Sequence, residues 1–232
     1  MIREAIILAG GLGTRLRSVV NDVPKCMAPV NGRPFLAYIM SYLQKQGVER
    51  FVFSLGFKSE IIVDFLKTQY TGLDIETVTE KEPLGTGGAI KLACDAAKSR
   101  DVLILNGDTL FDIDLQQLSS FHHYKKANCS IALKPMREFS RYGSVEIDGN
   151  NRIMAFNEKK FCKEGLINGG IYALKKRSLL EKDLPGVFSF EKEFLEKNTG
   201  HGLYAMAFDN YFIDIGIPED YERAQTELKE IL

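Results

Sequence analysis

Arg15, Lys25, Asp108 and Asp214 are the side chains whose types and surroundings best suit chemistry on phosphates. The run Leu8-Ala9-Gly10-Gly11-Leu12-Gly13-Thr14-Arg15 passes from an apolar stretch through glycines to a cation, and Pro24-Lys25 adds a second cation. Successive free N–H groups in such a turn form an anion-binding concavity, and glycine lets the backbone approach a ligand closely. A triphosphate held by backbone N–H groups, with charge from Arg15 and Lys25, fits that combination. A tight strand-to-helix turn accounts for the glycines alone. Two better-known phosphate loops are excluded. The P-loop requires G-x-x-x-x-G-K-[ST], whereas Gly10 is followed five residues later by Arg15. The dinucleotide fingerprint requires a third glycine where this chain has Leu16.

Asp108 and Asp214 each end an apolar run beside a glycine, in Leu103-Ile104-Leu105-Asn106-Gly107-Asp108 and Phe212-Ile213-Asp214-Ile215-Gly216. Singly, each reads equally as a turn former. As a pair beside a phosphate loop they suit Mg²⁺, which takes one or two carboxylates plus substrate phosphate oxygens. Glu80 stands before a second glycine loop, Pro83-Leu84-Gly85-Thr86-Gly87-Gly88. An ionised carboxylate only accepts hydrogen bonds, so there it suits a base edge with two adjacent donors, as guanine has. A solvated turn explains Glu80 as well. Tyr142-Gly143-Ser144, Glu158-Lys159 and Asn168-Gly169-Gly170 read by themselves as surface and turn residues.

The elements that must hold these groups alternate in the first half. Ala5–Ala9, Phe51–Leu55, Ile75–Thr79 and Val102–Leu105 read as buried strands, and the spacings over Pro34–Gly47, Glu60–Thr68, Ala89–Lys98 and Leu115–Tyr124 predict helices. This order implies an α/β fold with a mainly parallel sheet flanked by helices. Ligands of such sheets bind outside the carboxyl ends of the strands. The second half turns to short strand-like runs at Ser130–Leu133, Ser144–Ile147, Arg152–Phe156 and Gly170–Leu174, with a hairpin signal at Asp148-Gly149-Asn150-Asn151. A helix over Phe190–Lys197, a strand over Tyr211–Ile213 and a helix over Glu219–Leu228 close the chain. A β-rich lobe beside the nucleotide half is expected, with residues 1–232 as one domain.

Composition narrows the partners. Thirty basic against 31 acidic residues, a net charge of −1, argue against a polyanion-binding surface, so no nucleic acid is expected. No run of about 18 apolar residues occurs, so no membrane span is expected. The start on a strand, without a basic-then-apolar leader, makes the cytoplasm the expected compartment. Cys26, Cys94, Cys129 and Cys162 are widely spaced and read as reduced thiols. His122, His123 and His201 make no zinc-ligand spacing with them, and His122 and His123 read as the polar face of a helix.

Together these motifs, in this order and over nearly the whole length, resemble the sugar-1-phosphate nucleotidyltransferase family. The resemblance implies a Rossmann-like mixed sheet of the GT-A-like kind with a small β-rich sugar-binding lobe. It implies attack by a sugar 1-phosphate oxygen on the α-phosphorus of a nucleoside triphosphate, expelling pyrophosphate. Leu8, Ala9, Gly10, Gly11, Gly13, Thr14, Arg15, Lys25, Glu80, Pro83, Gly85 and Thr86 would bind the nucleotide. Arg15, Lys25 and Asp108 would be catalytic, and Asp108 and Asp214 would hold Mg²⁺. Gly143, Glu158, Asn168 and Gly169 would bind the sugar and Lys159 its phosphate. A Glu before the Pro-Leu-Gly-Thr loop is similar to guanylyl-transferring members, so GTP is the expected nucleotide. Asp214-Ile215-Gly216-Ile217-Pro218-Glu219-Asp220-Tyr221 looks most like the branch acting on D-glycero-α-D-manno-heptose 1-phosphate, with mannose 1-phosphate as the nearest alternative. Many relatives have Trp where Phe212 stands and Thr where Ile217 stands, departures that bear on the choice of sugar. No left-handed β-helix tail of the acyltransferase-fused relatives is seen, so a second activity is not expected. The expected partners are GTP and a sugar 1-phosphate, with a homo-oligomer left open. A reading of another class is a non-catalytic subunit on the same fold, which need not keep Arg15, Lys25, Asp108 and Asp214.

Overall fold

Strand β1 (Glu4–Ala9) lies inside the sheet between the strands Asp101–Asn106 and Arg50–Leu55, and the site is arranged around its end. The computed structural model describes residues 1–11, 16, 20 and 22–229. After β1 come the short strands β2 (Pro29–Val30) and β3 (Arg33–Pro34), then α1 (Phe35–Lys45), β4 (Arg50–Leu55), α2 (Ser59–Gln69), β5 (Asp74–Thr79), α3 (Gly85–Ala96), β6 (Asp101–Asn106) and β7 (Thr109–Phe111). Helix α4 (Leu115–Tyr124) leads into β8 (Cys129–Phe139), β9 (Val145–Ile147), β10 (Ile153–Phe156) and β11 (Cys162–Lys175). The chain continues through α5 (Lys176–Leu180), a π-helical turn (Phe190–Leu195), a 3₁₀ turn (Glu196–Asn198), β12 (Leu203–Ala207), β13 (Phe212–Asp214) and α6 (Pro218–Glu227).

Seven strands form one sheet in the order β12-β8-β11-β6-β1-β4-β5. β6, β1, β4 and β5 are parallel, β12 is parallel to β8, and β11 runs antiparallel to both β6 and β8. This is the expected mainly parallel mixed sheet. From β1 the chain goes to β4 on one side and later to β6 on the other. That reversal is a topological switch point, and it opens a crevice at the carboxyl ends of the strands.

Side chains alternate across the pleat, and both faces are covered. Ala5 and Ile7, Phe51 and Phe53, Leu103 and Leu105 join one core with Phe35, Ile39, Leu66 and Leu115 of the helices. Ile6, Val52, Val102 and Ile104 join another with Ile90, Ala93, Phe190 and Phe194. Burial on both faces explains why these strands read as continuous apolar runs.

The structure corrects several expectations. Two of the four short strands of the second half are long: β8 and β11 pair from Cys129–Leu174 out to Phe139–Cys162 as part of the main sheet. Only β9 and β10 form a separate two-stranded sheet, so the extra lobe is smaller than expected. Helix α3 begins at Gly85, not Ala89, so Gly85-Thr86-Gly87-Gly88 is its first turn. The segment expected as a helix over Phe190–Lys197 is the π-helical turn and its 3₁₀ continuation. His122 is buried, with its Nδ1 3.0 Å from Ser130 Oγ, and only His123 is exposed. Among the described residues no helix is long and apolar enough to cross a membrane.

Candidate active site

A cavity of about 570 Å³ lies in the crevice. Leu8, Gly10 and Gly11 reach it from the end of β1, Asn106 and Asp108 from the end of β6, and Ser54, Gly56 and Phe57 from β4. Glu80, Lys81, Glu82 and Pro83 line it after β5, and Gly85, Thr86 and Ala89 line it from α3. The β1 and β4 loops touch through glycines: a Cβ on Gly56 would lie 2.7 Å from Gly10 O, and one on Gly10 would lie 3.0 Å from Glu80 Oε1. Of the expected nucleotide residues, Ala9 is buried rather than lining. Gly13, Thr14 and Arg15 lie outside the described residues.

Glu80 is fixed in place. Its backbone N–H donates to Leu55 O (2.9 Å), and its Oε2 accepts from Leu84 N (2.8 Å). The glycines of the following turn have a packing reason as well. Gly85 has φ +71°, and a Cβ there would lie 2.5 Å from Phe188 O. Gly87 N donates to that same oxygen (2.9 Å), while Phe188 N donates to Leu84 O (3.0 Å). The second glycine loop therefore lets the segment before the π-helical turn lie across the start of α3, and only its first residues face the cavity.

At the other end, Lys25 opens a single 3₁₀ turn (Lys25–Met27) and points its ammonium at two carboxylates. Lys25 Nζ is 2.5 Å from Asp108 Oδ2 and 3.6 Å from Asp214 Oδ1. Topology brings the two aspartates together: β7 and β13 pair antiparallel with Thr109 opposite Asp214, and Ile215 N donates to Asp108 O (3.0 Å). Gly216 keeps the corner open, since a Cβ there would lie 2.7 Å from Asp214 Oδ1 and 3.0 Å from Lys25 Nζ. Cys26, beside Lys25, is buried, and its thiol is pushed up to about 12 by burial and by the Asp108 charge. Such a thiol is not a nucleophile near neutrality.

The expected sugar residues do not line this cavity. Glu158 and Lys159 are exposed in the loop after β10. Gly143 sits where a Cβ would collide with Asn157 O, and Asn157 N donates back to Ser144 O (2.8 Å). Asn168 turns inward: its Oδ1 accepts from Gly170 N (3.0 Å), and its Nδ2 donates to Tyr172 Oη (2.7 Å). A Cβ on Gly169 would lie 2.5 Å from the Phe111 ring, and one on Gly170 2.7 Å from Asn106 Nδ2. These three residues form an irregularity in the β11 ladder that seats it against Asn106, a cavity residue.

Ser54, Gly56, Phe57 and Glu191 line the cavity but were not read from the sequence as site residues. Glu191, in the π-helical turn, lines the same cavity as Thr86. Its Oε2 accepts from Thr86 Oγ1 (2.8 Å) and Ser189 Oγ (3.0 Å), and Thr86 Oγ1 in turn accepts from Phe190 N (2.9 Å). An acid in a first turn normally reads as a helix-dipole partner, and no spacing links it to Thr86, 105 positions earlier.

Residues 4–231 match the nucleotidyl transferase family profile. The chain is 49% identical over 230 residues, 99% of its own length and 100% of the relative's, to a D-glycero-α-D-manno-heptose 1-phosphate guanylyltransferase of Aneurinibacillus thermoaerophilus. It is 48% identical, over 94% of its length and 96% of the relative's, to a protein of the same name from Campylobacter jejuni. HddC from Yersinia pseudotuberculosis, solved in complex with GMP-PN, superposes with a TM-score of 0.87 at 37% identity, covering 98% of this chain and 100% of that one. With this match over nearly the whole chain, the chain belongs to the nucleotidyl transferase family.

Proposed function

We propose that the protein transfers GMP from GTP to D-glycero-α-D-manno-heptose 1-phosphate, giving GDP-heptose and pyrophosphate. The observation that carries the reaction is the meeting of Lys25, Asp108 and Asp214 at the mouth of the crevice. The similarity to the two guanylyltransferases supports the choice of nucleotide and sugar.

A phosphate oxygen of the sugar 1-phosphate forms a bond to the α-phosphorus as the bond to the β-phosphate bridging oxygen breaks. The nucleophile is already an anion and needs no general base. The task is to hold two polyanions in line and offset their charge, by positioning and electrostatics. Lys25 stands beside the candidate metal carboxylates and meets the reacting phosphates there. Arg15 binds the triphosphate, following the family pattern. Glu80 accepts from the guanine edge, and the first turn of α3 approaches the nucleotide with its positive end. By the family pattern alone, Gly143, Glu158, Asn168 and Gly169, which lie outside the nucleotide cavity, hold the sugar, and Lys159 its phosphate.

The residues fit a divalent cation. Two carboxylates face one ammonium, leaving a net negative corner beside the cavity, and Mg²⁺ takes few protein ligands when phosphate oxygens complete its shell. Asp108 and Asp214 would hold it, and when bound it supplies charge neutralisation to the phosphates. Among the described residues no group of three or more His, Cys, Asp or Glu is placed to hold a metal ion.

Asp108→Ala tests this directly. Pyrophosphate release from GTP and the heptose 1-phosphate should fall about 10²- to 10³-fold, the scale of losing one preorganised electrostatic group. Undiminished release from a folded Asp108→Ala protein would remove Asp108 from the reaction, and no release from the wild-type protein would mark the chain as a non-catalytic subunit.

A further inference from the structure

Tyr142 does not line the nucleotide cavity, yet it reaches Asp214. Its hydroxyl lies 3.4 Å from Asp214 Oδ2, on the carboxylate oxygen opposite the one that accepts from Gly216 N (2.8 Å) and faces Lys25. The direction of that contact is fixed by its neighbour. Arg141 Nη2 lies 2.9 Å from Tyr142 Oη. A guanidinium can only donate, so the phenol oxygen accepts there and its single hydrogen is left for Asp214. The Tyr142 ring packs edge-on against Phe212, two residues before Asp214 on β13, with ring centroids 6.3 Å apart.

Arg141 is itself anchored. It also donates to Asp220 Oδ2, and Asp220, only 7% exposed, accepts at Oδ1 from Arg223 Nη1 (2.9 Å). Arg223 is gripped by Glu227 at 3.0 and 3.2 Å, and Glu227 accepts from Tyr211 Oη (2.9 Å). An unbroken chain of donors and acceptors therefore runs from α6 through Asp220, Arg141 and Tyr142 to Asp214.

We propose that Tyr142, held by the Arg141–Asp220 pair, is a positioning residue that sets the orientation of the Asp214 carboxylate toward a divalent cation. This inference rests on the metal reading of Asp108 and Asp214. Partners of metal-ligating carboxylates typically change metal affinity by about 10- to 100-fold when removed, and a contact as long as 3.4 Å belongs at the lower end. The loop that carries Tyr142 also carries Gly143, so one backbone segment serves both the metal carboxylate and the expected sugar site.

The test is Mn²⁺ binding, followed by electron paramagnetic resonance, to the full chain with a non-hydrolysable GTP analogue present. Wild type, Tyr142→Phe, Asp220→Asn and Asp214→Asn are compared. Tyr142→Phe should weaken Mn²⁺ about tenfold, leave analogue affinity without metal unchanged, and recover turnover at high metal concentration. Asp220→Asn should weaken Mn²⁺ in the same direction. Wild-type Mn²⁺ affinity in Tyr142→Phe, with the affinity lost in Asp214→Asn, would overturn the positioning role alone. Wild-type affinity in Asp214→Asn would overturn the metal reading and this inference with it.

Discussion

At Lys25 one ammonium serves two carboxylates, and an incoming polyanion must compete for it. At Glu80 one carboxylate serves both the protein and the proposed base. Oε2 is held by Leu84 N, but each carboxylate oxygen has two acceptor positions, so both oxygens remain able to accept. Glu80→Gln presents one acceptor and one NH₂ group. If the amide oxygen keeps Leu84 N, the NH₂ faces the guanine donors. We therefore expect kcat/KM for GTP to fall about tenfold or more, an effect of about 1–3 kcal/mol for unpaired donors, with GTP preference over ATP and UTP narrowed. Steady-state kinetics with the three nucleotides checks this, and unchanged preference removes Glu80 from base reading. The residues legible in the sequence were those at strand ends beside glycines, because an apolar run stopping at Gly-Asp or Gly-Gly is a local pattern. Glu191 and Tyr142 reach the site through contacts with Thr86 and Asp214, across 105 and 72 positions, and no local pattern encodes those.

Among the elements, α4 kept its expected limits of Leu115–Tyr124, with Asp114 accepting from Gln117 N (2.9 Å) as an N-terminal cap. Its buried face was less legible. His122 packs against β8, and burial lowers its imidazole from the usual value near 6.5 to about 4, against the opposing pull of Asp101. The unfolded chain then binds a proton that the folded chain refuses as pH falls from about 6.5 toward about 4. Stability should therefore decline through that window and show no His122 contribution above it. A shift of this size corresponds to about 3 kcal/mol. Urea unfolding from pH 7.5 to 4.5 should show a shallower acid slope in His122→Gln than in wild type, and equal slopes would contradict the assignment. Strand lengths were misread for a related reason. The expected runs Ser130–Leu133 and Gly170–Leu174 cover only the apolar ends of β8 and β11, and beyond them Pro135 pairs with Leu166, Met136 with Gly165 and Arg137 with Glu164. Helix α3 was placed late because glycines read as loop, whereas here they admit the Phe188 segment.

For the whole molecule, one sheet joins the nucleotide half to the strands of the second half. β11 against β6 brings the Asn168–Gly170 irregularity beside Asn106, and β13 against β7 brings Asp214 beside Asp108. The alternation of strands and helices made the parallel half and its crevice legible, because burial on both faces leaves long apolar runs. The antiparallel insertion of β11 between β6 and β8 was not legible, since strand order depends on pairings that short runs do not specify. The most direct test of the central claim is a pyrophosphate-release matrix of GTP, ATP, CTP and UTP against D-glycero-α-D-manno-heptose 1-phosphate, mannose 1-phosphate and glucose 1-phosphate. A pocket distinguishes sugars differing by one carbon by only about 1–3 kcal/mol, so some turnover of mannose 1-phosphate is compatible with the account. The account predicts the highest kcat/KM for GTP with the heptose 1-phosphate; a clear preference for mannose 1-phosphate, or for a nucleotide other than GTP, would contradict it.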